Sequence, residues 1–243
     1  KEIVEKYDKK GIKHLYLNAD AYQGFLHSVN EKLTQILSNV ENAKVEDVLN
    51  AQQATIENIH ESLLNVGVNA VAMELAGKAV ESTIKVLKKS PNINVLLERM
   101  IQNKNYIYDL AMVCSYLSTA IAKETDWAGE TSYNKLALAA LLQDISLEDE
   151  KLCKITDLNS PDFLKLSKED QAKVKEHPFT AVNLMGEIES FSNDCRNIIL
   201  EHQELPDGTG FPRKLVHTKI APLSCIMIIA HYFGHRILTE GNT

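Results

Sequence analysis

Cysteine is scarce in this chain of 243 residues, and its four copies, Cys114, Cys153, Cys195 and Cys225, stand far apart. There is no CxxC pair. Neither a zinc knuckle nor a disulfide framework is expected, and the thiols read as buried groups in a reducing compartment. Six prolines, ten glycines and 6% aromatic residues are too few for a turn-rich β-protein. Positive charge is not in excess: 26 Lys and Arg face 33 Asp and Glu, a net charge of −7. That balance excludes a general polyanion-binding surface, and with it a nucleic-acid polymer as partner. It leaves room for a small phosphate ligand held by local cations. The longest apolar run, around Ile226–Ala230, is too short to span a bilayer. No signal peptide is visible after Lys1, so a cytoplasmic protein is expected.

What is present favours helices. Hydrophobic residues make up 44% and charged residues 24%, enough for one large core or two modest ones. The only strand candidate is His14–Leu17, followed by a helix start signal at Asn18-Ala19-Asp20. From Tyr22 the pattern is helical, with Phe25, Val29, Leu33, Ile36 and Leu37 on one face. Further helices are predicted over Val45–Asn65, Val68–Lys88, Leu96–Lys123, Tyr133–Ile145, 168–188, 192–204 and 220–238. Ser167 reads as the N-cap of the 168–188 helix, with Asp170 completing a variant capping box. The break at Lys88-Lys89-Ser90-Pro91-Asn92 divides the chain into residues 1–90 and 91–243. The amphipathic stripes of residues 20–90 suit a regulatory part that forms a homodimer, although packing within one chain also produces such stripes.

Four polar features border or interrupt apolar helices of the second part: Gln143-Asp144, His177-Pro178, His202 and His231. One carboxylate and three imidazoles are a donor set for Fe, Mn, Zn or Ni, and the lack of nearby cysteines disfavours a structural zinc. The alternative is a filled, metal-free helical core with polar remnants. The stretch from His202 to Arg213, HQELPDGTGFPR, adds a loop to this set. Gly208 and Gly210 allow close backbone approach, and Pro212 stiffens the exit. Glu204 orients a ligand or packs at a helix end. Asp207 is better suited to fixing the loop through backbone hydrogen bonds than to acting as a base. Arg213 either pairs with phosphate oxygens or is a solvated surface charge.

The order of these motifs resembles the HD-GYP branch of the HD-superfamily metal-dependent phosphohydrolases. The resemblance runs from Leu141-Leu142-Gln143-Asp144 through His177-Pro178, His202-Gln203-Glu204 and Asp207–Pro212 to Ile229-Ala230-His231, and covers about Pro91 to Leu238. It implies an all-α fold: an HD-superfamily helical bundle preceded by a smaller, mostly helical N-terminal domain with one or two short strands. It implies two divalent or trivalent metal ions, iron favoured and manganese the alternative, with cyclic di-GMP as ligand. By the same resemblance Asp109, Gln143, Asp144, His177, His202, Gln203 and His231 are the metal positions, and Asp144 is the catalytic carboxylate. Glu204, Asp207, Gly208, Gly210, Phe211, Pro212 and Arg213 become the substrate-binding positions.

Several positions depart from that family's pattern. Gln143 and Gln203 stand where it has histidines, Leu147 where it has a phosphate-touching lysine, and Phe211 where it has the signature tyrosine. Asp109 takes the place of a histidine and His231 that of an aspartate, so an imidazole and a carboxylate exchange positions. The expectation is an unconventional HD-GYP protein with a dinuclear centre and weak or lost cyclic di-GMP hydrolysis. The alternative is a non-catalytic cyclic di-GMP receptor, or a signalling module that binds a partner protein.

Overall fold

A computed structural model of the protein describes residues 19–67, 69–90, 92–101, 105–186 and 191–241. Among these the fold is all-α, with eleven α-helices and no strand. The strand candidate His14–Leu17 lies outside the described residues. The chain forms two compact units, Lys1–Lys32 and Leu33–Thr243. The described part of the first is the beginning of helix α1 (Ala19–Ser38). The second contains every other element.

Helix α2 (Val45–Val66) packs on α3 (Ala70–Lys89), and both pack on the later helices. Asn69 caps α3 by accepting from Ala72 N–H at 2.9 Å, and Lys88 and Lys89 fall in its last turn, where cations favour the helix dipole. Within the Lys88–Asn92 break, α3 ends at Lys89, and Asn92 caps the start of α4 (Ile93–Met100). The single long helix expected over Leu96–Lys123 is instead α4 followed by α5 (Tyr106–Lys123). Apolar periodicity continues across both. Asn105, however, turns its side chain onto the Ile107 and Tyr108 N–H groups and so starts a new helix.

Helix α5 is the axis of the second unit. Leu110, Met112, Val113, Cys114 and Tyr116 are all buried, which is the signature of a helix enclosed on every side. It packs on α6 (Glu130–Leu142), on α11 (Pro222–Glu240), and on α2, α3, α4 and the short α7 (Glu150–Cys153). Ala137, Ala139 and Ala140 keep α6 narrow where it meets its neighbours. Gly234 does the same for α11: a Cβ there would stand 3.2 Å from Val113 Cγ1 and 3.3 Å from Cys114 Sγ. A buried polar junction ties three helices together. Tyr116 O–H donates to Gln52 Oε1 at 2.8 Å, and Gln52 Nε2 donates to Ser82 Oγ at 2.7 Å. The short α8 (Pro161–Leu164) leads to α9 (Lys168–Leu184), and α10 (Asn193–Glu201) completes the bundle. Ser167 caps α9 and bonds to Asp170 in both directions, at 2.8 and 3.1 Å.

Candidate metal centre

The centre is assembled where four helices of the bundle place their irregularities side by side. Helix α6 loses regularity after Leu142, and Gln143 and Asp144 follow in a turn closed by Leu147 N–H bonding to Asp144 O at 2.9 Å. His177 lies within α9, immediately before Pro178. His202 is the C-cap of α10, and His231 sits on the buried face of α11, one turn before the close crossing at Gly234.

Backbone chemistry fixes two of the imidazoles. Pro178 has no N–H, so the Val174 carbonyl one turn earlier lacks its usual helical partner. His177 Nδ1 takes that carbonyl at 2.7 Å. At the end of α10, where carbonyls are left without helical donors, His202 Nδ1 bonds Ile199 O at 2.7 Å. A carbonyl oxygen only accepts, so each ring carries its proton on Nδ1 and turns an Nε2 lone pair inward.

Those inward nitrogens have no proton to share. His177 Nε2 and His202 Nε2 lie 3.1 Å apart, and Asp144 Oδ1 is 3.3 Å from the first and 3.5 Å from the second. Ligand atoms of Asp144, His202 and His231 gather within 4.8 Å of one another. All four residues are only 2–4% exposed. Asp144 Oδ1, His231 Nε2 and Gln143 Oε1 are buried without any hydrogen-bond partner. Such orphans are costly. Gln143 Nε2 holds the other Asp144 oxygen, Oδ2, at 3.2 Å, which leaves Oδ1 to face the imidazoles.

The electrostatics agree with a cation-binding set. Burial alone would raise the Asp144 carboxyl, but a second proton on His177 or His202 beside it more than reverses this and holds it well below the usual carboxylate range. Burial lowers His177, against the pull of Asp144, and lowers His231 to about 3. An ionised carboxylate and neutral imidazoles are the forms that bind a divalent ion. The residues therefore fit a metal: Asp144, His202 and His231 form the candidate ligand group, and His177 contacts two of them.

Residues 95–241 match the family model of the HD domain. The chain belongs to the HD domain family. Comparison with curated proteins and with solved structures gives no match. Membership, together with the ligand cluster, supports a metal-dependent phosphohydrolase type of centre in this HD domain. No helix of the described residues is long and apolar enough to cross a membrane.

Other positions singled out by the sequence have partners of their own. Asp109, in the first turn of α5, is buried, and its Oδ1 accepts from Gln53 Nε2 at 3.2 Å. It is not among the ligand atoms gathered around Asp144. Burial and the nearby Glu150 push its carboxyl up to about 7. Leu147 is buried. Gln203 is also buried, and its carbonyl accepts from Phe211 N–H at 3.0 Å. The Phe211 ring stands edge-on to His177, 5.9 Å between centroids, and forms part of the apolar wall.

The Gly-rich loop of the HD domain turns its polar groups on itself. Glu204 is fully buried, and its oxygens accept from Arg213 N–H at 2.7 Å and Leu215 N–H at 2.8 Å. Asp207 Oδ1 accepts from Thr209 N–H at 3.0 Å and from its hydroxyl at 2.6 Å. Gly208 takes a φ of 81°, and a Cβ on Gly210 would fall 2.2 Å from Leu205 N. Pro212 follows a cis peptide bond. The Arg213 guanidinium pairs with Glu201 Oε1, while Glu201 Oε2 accepts from Ala221 N–H at 2.9 Å, just ahead of α11. Sequence reasoning missed Glu201. A carboxylate at a helix end looks solvated until its two backbone and guanidinium partners, 12 and 20 residues away, are known.

Proposed function

We propose that this HD domain binds divalent metal through Asp144, His177, His202 and His231, and that it belongs to the HD-GYP branch as an unconventional member whose ligand is cyclic di-GMP. The observation that carries the metal reading is the gathering of ligand atoms of Asp144, His202 and His231 within 4.8 Å of one another, with Asp144 Oδ1 and His231 Nε2 buried and without a hydrogen-bond partner. When bound, metal would supply Lewis-acid activation of water and of a phosphoryl oxygen. Asp144 supplies the negative charge of the centre. His177 and His202 present fixed lone pairs, and Phe211 and Leu147 keep the surroundings dry.

Iron is favoured over manganese, two ions are expected, and a cytoplasmic location is part of the reading. Hydrolysis is expected to be slow or lost. Gln143 and Gln203 offer neutral amides in place of imidazoles, and Leu147 is a buried apolar side chain where a phosphate-binding ammonium would serve. The same buried Leu147 favours a second reading, a non-catalytic cyclic di-GMP receptor or partner-binding module. Residues 1–90 are proposed to be its regulatory part, with a homodimer through residues 20–90.

Elemental analysis of the full chain, combined with cyclic di-GMP binding and turnover, tests these statements. Stoichiometric metal that disappears in Asp144→Asn supports the centre. Turnover that disappears with it supports the hydrolase, and nucleotide binding without turnover supports the receptor. Absence of metal from the wild-type protein after loading with iron or manganese overturns the metal reading.

A further inference from the structure

Helix α6 delivers Gln143 and Asp144 from an end that does not close on itself. Ile145 N–H bonds Leu142 O at 3.3 Å, a tighter turn than the helical one to Leu141 O. The Leu141 carbonyl is therefore left at a buried helix end, where an unpaired acceptor is unfavourable. Its partner comes from α2: His60 Nε2 lies 2.9 Å from Leu141 O, with both residues buried. Because that oxygen only accepts, Nε2 carries the proton. Tyr108 on α5 meets the His60 ring edge-on, at 5.4 Å and 87°, and limits its rotation.

His60 stands 81 residues from Leu141 and outside the segment 95–241 that matches the HD domain. It is nonetheless the side chain that takes up the carbonyl of Leu141, two residues before Gln143. We propose that His60 is a positioning residue for the metal centre: by holding the Leu141 carbonyl it sets the turn that brings the Asp144 carboxylate against His177 and His202. The N-terminal helices are thereby coupled to the centre through one hydrogen bond. The metal consequence rests on the metal-binding reading above; the effect on the turn does not.

The test uses the full chain and two readouts, amide hydrogen exchange in the metal-free protein and titration with Mn²⁺. His60→Phe keeps a ring and removes the donor. His60→Gln restores an N–H donor, and Ile56→Ala is a packing control on the same helix. Expected for His60→Phe is exchange at Ile145 and Leu147 faster by roughly 10-fold relative to α5 amides, and Mn²⁺ affinity lower by roughly 10–100-fold, the range for loss of an outer partner of a metal ligand. His60→Gln recovers part of both, and Ile56→Ala moves neither selectively. Should His60→Phe not fold, His60→Asn, whose amide is too short to reach, replaces it in the comparison with His60→Gln.

The proposal is overturned if the donor-less variant leaves exchange at 145 and 147 unchanged, if Ile56→Ala reproduces its effect, or if His60→Gln gives no recovery. If the wild-type protein takes up no Mn²⁺ or iron, the metal reading fails. The exchange experiment then still decides whether His60 sets the turn.

Discussion

The loop from Gln203 to Val216 and the cluster around Asp144 are adjacent in the fold and opposite in their polar chemistry. In the loop the carboxylates are spoken for: Glu204 by two backbone N–H groups, Asp207 by Thr209, and the neighbouring Glu201 by Arg213 and Ala221. In the cluster, Asp144 Oδ1 and His231 Nε2 are buried with no hydrogen-bond partner. Folding alone accounts for the loop, because every bond there closes within the chain. The cluster retains atoms that the chain does not satisfy, and such atoms are held in place for something else. The stretch that most readily suggests a family is thus the brace, and the less conspicuous residues around Asp144 form the candidate metal-binding group.

This contrast can be broken most sharply at Gly210. A methyl group there meets backbone rather than a movable side chain, so Gly210→Ala is expected to destabilise the protein by about 4 kcal/mol or more, at the upper end of single-site effects. Chemical denaturation measures it, and a wild-type midpoint would mean that the loop is not a rigid brace. Next in size is Asp144→Asn. It should lower metal affinity by more than about 100-fold, since losing a direct ligand exceeds the loss of an outer partner, and leave metal-free stability close to wild type. An isothermal titration that showed equal affinity would remove Asp144 from the ligand set.

Acid provides a smaller, graded test. His231 has a folded value of about 3 against an ordinary 6.5, and burial lowers His177 and His60 in the same direction. Between 6.5 and 3 the unfolded chain binds protons that the folded chain refuses. The contribution of these histidines is therefore full above pH 6.5 and is lost as pH falls, by up to about 1.4 kcal/mol per pH unit for each such group, while Asp109, raised to about 7, works in the opposite direction. His231→Leu should flatten that slope in equilibrium unfolding followed from pH 7 to pH 4; an unchanged slope would place the acid sensitivity elsewhere. The smallest effect belongs to Asp207→Ala, whose bonds are local and solvent-exposed. A slight drop in denaturation midpoint with unchanged metal content is expected, and lost metal would contradict the division between brace and centre.

Much of the fold was legible because helical periodicity is a local property. The helices over residues 45–65, 68–88 and 220–238 and the Ser167 cap could be read directly, whereas the division of Leu96–Lys123 could not, because Asn105 interrupts the backbone without interrupting the apolar pattern. At the site, motif order pointed to Asp144, His177, His202 and His231. The burial of their ligand atoms together depends on how α6, α9, α10 and α11 pack. Long-range partners were invisible: nothing near His60 announces Leu141, and nothing near Asp109 announces Gln53. Glu204, read as orienting a ligand or packing at a helix end, is bonded to the loop, and Arg213, read as a phosphate contact or a solvated charge, is paired with Glu201.

Pro178 gives this protein an unusual kind of genetic fragility. The residue touches the centre only by lacking a hydrogen, yet that missing hydrogen is what leaves Val174 O open to His177 Nδ1. Replacing it with alanine would count as a helix-favouring change by any propensity scale. The new amide would compete for the carbonyl, free the imidazole to exchange its proton between nitrogens, and alter a ligand without altering a ligand residue. A substitution that strengthens the helix could in this way weaken the site.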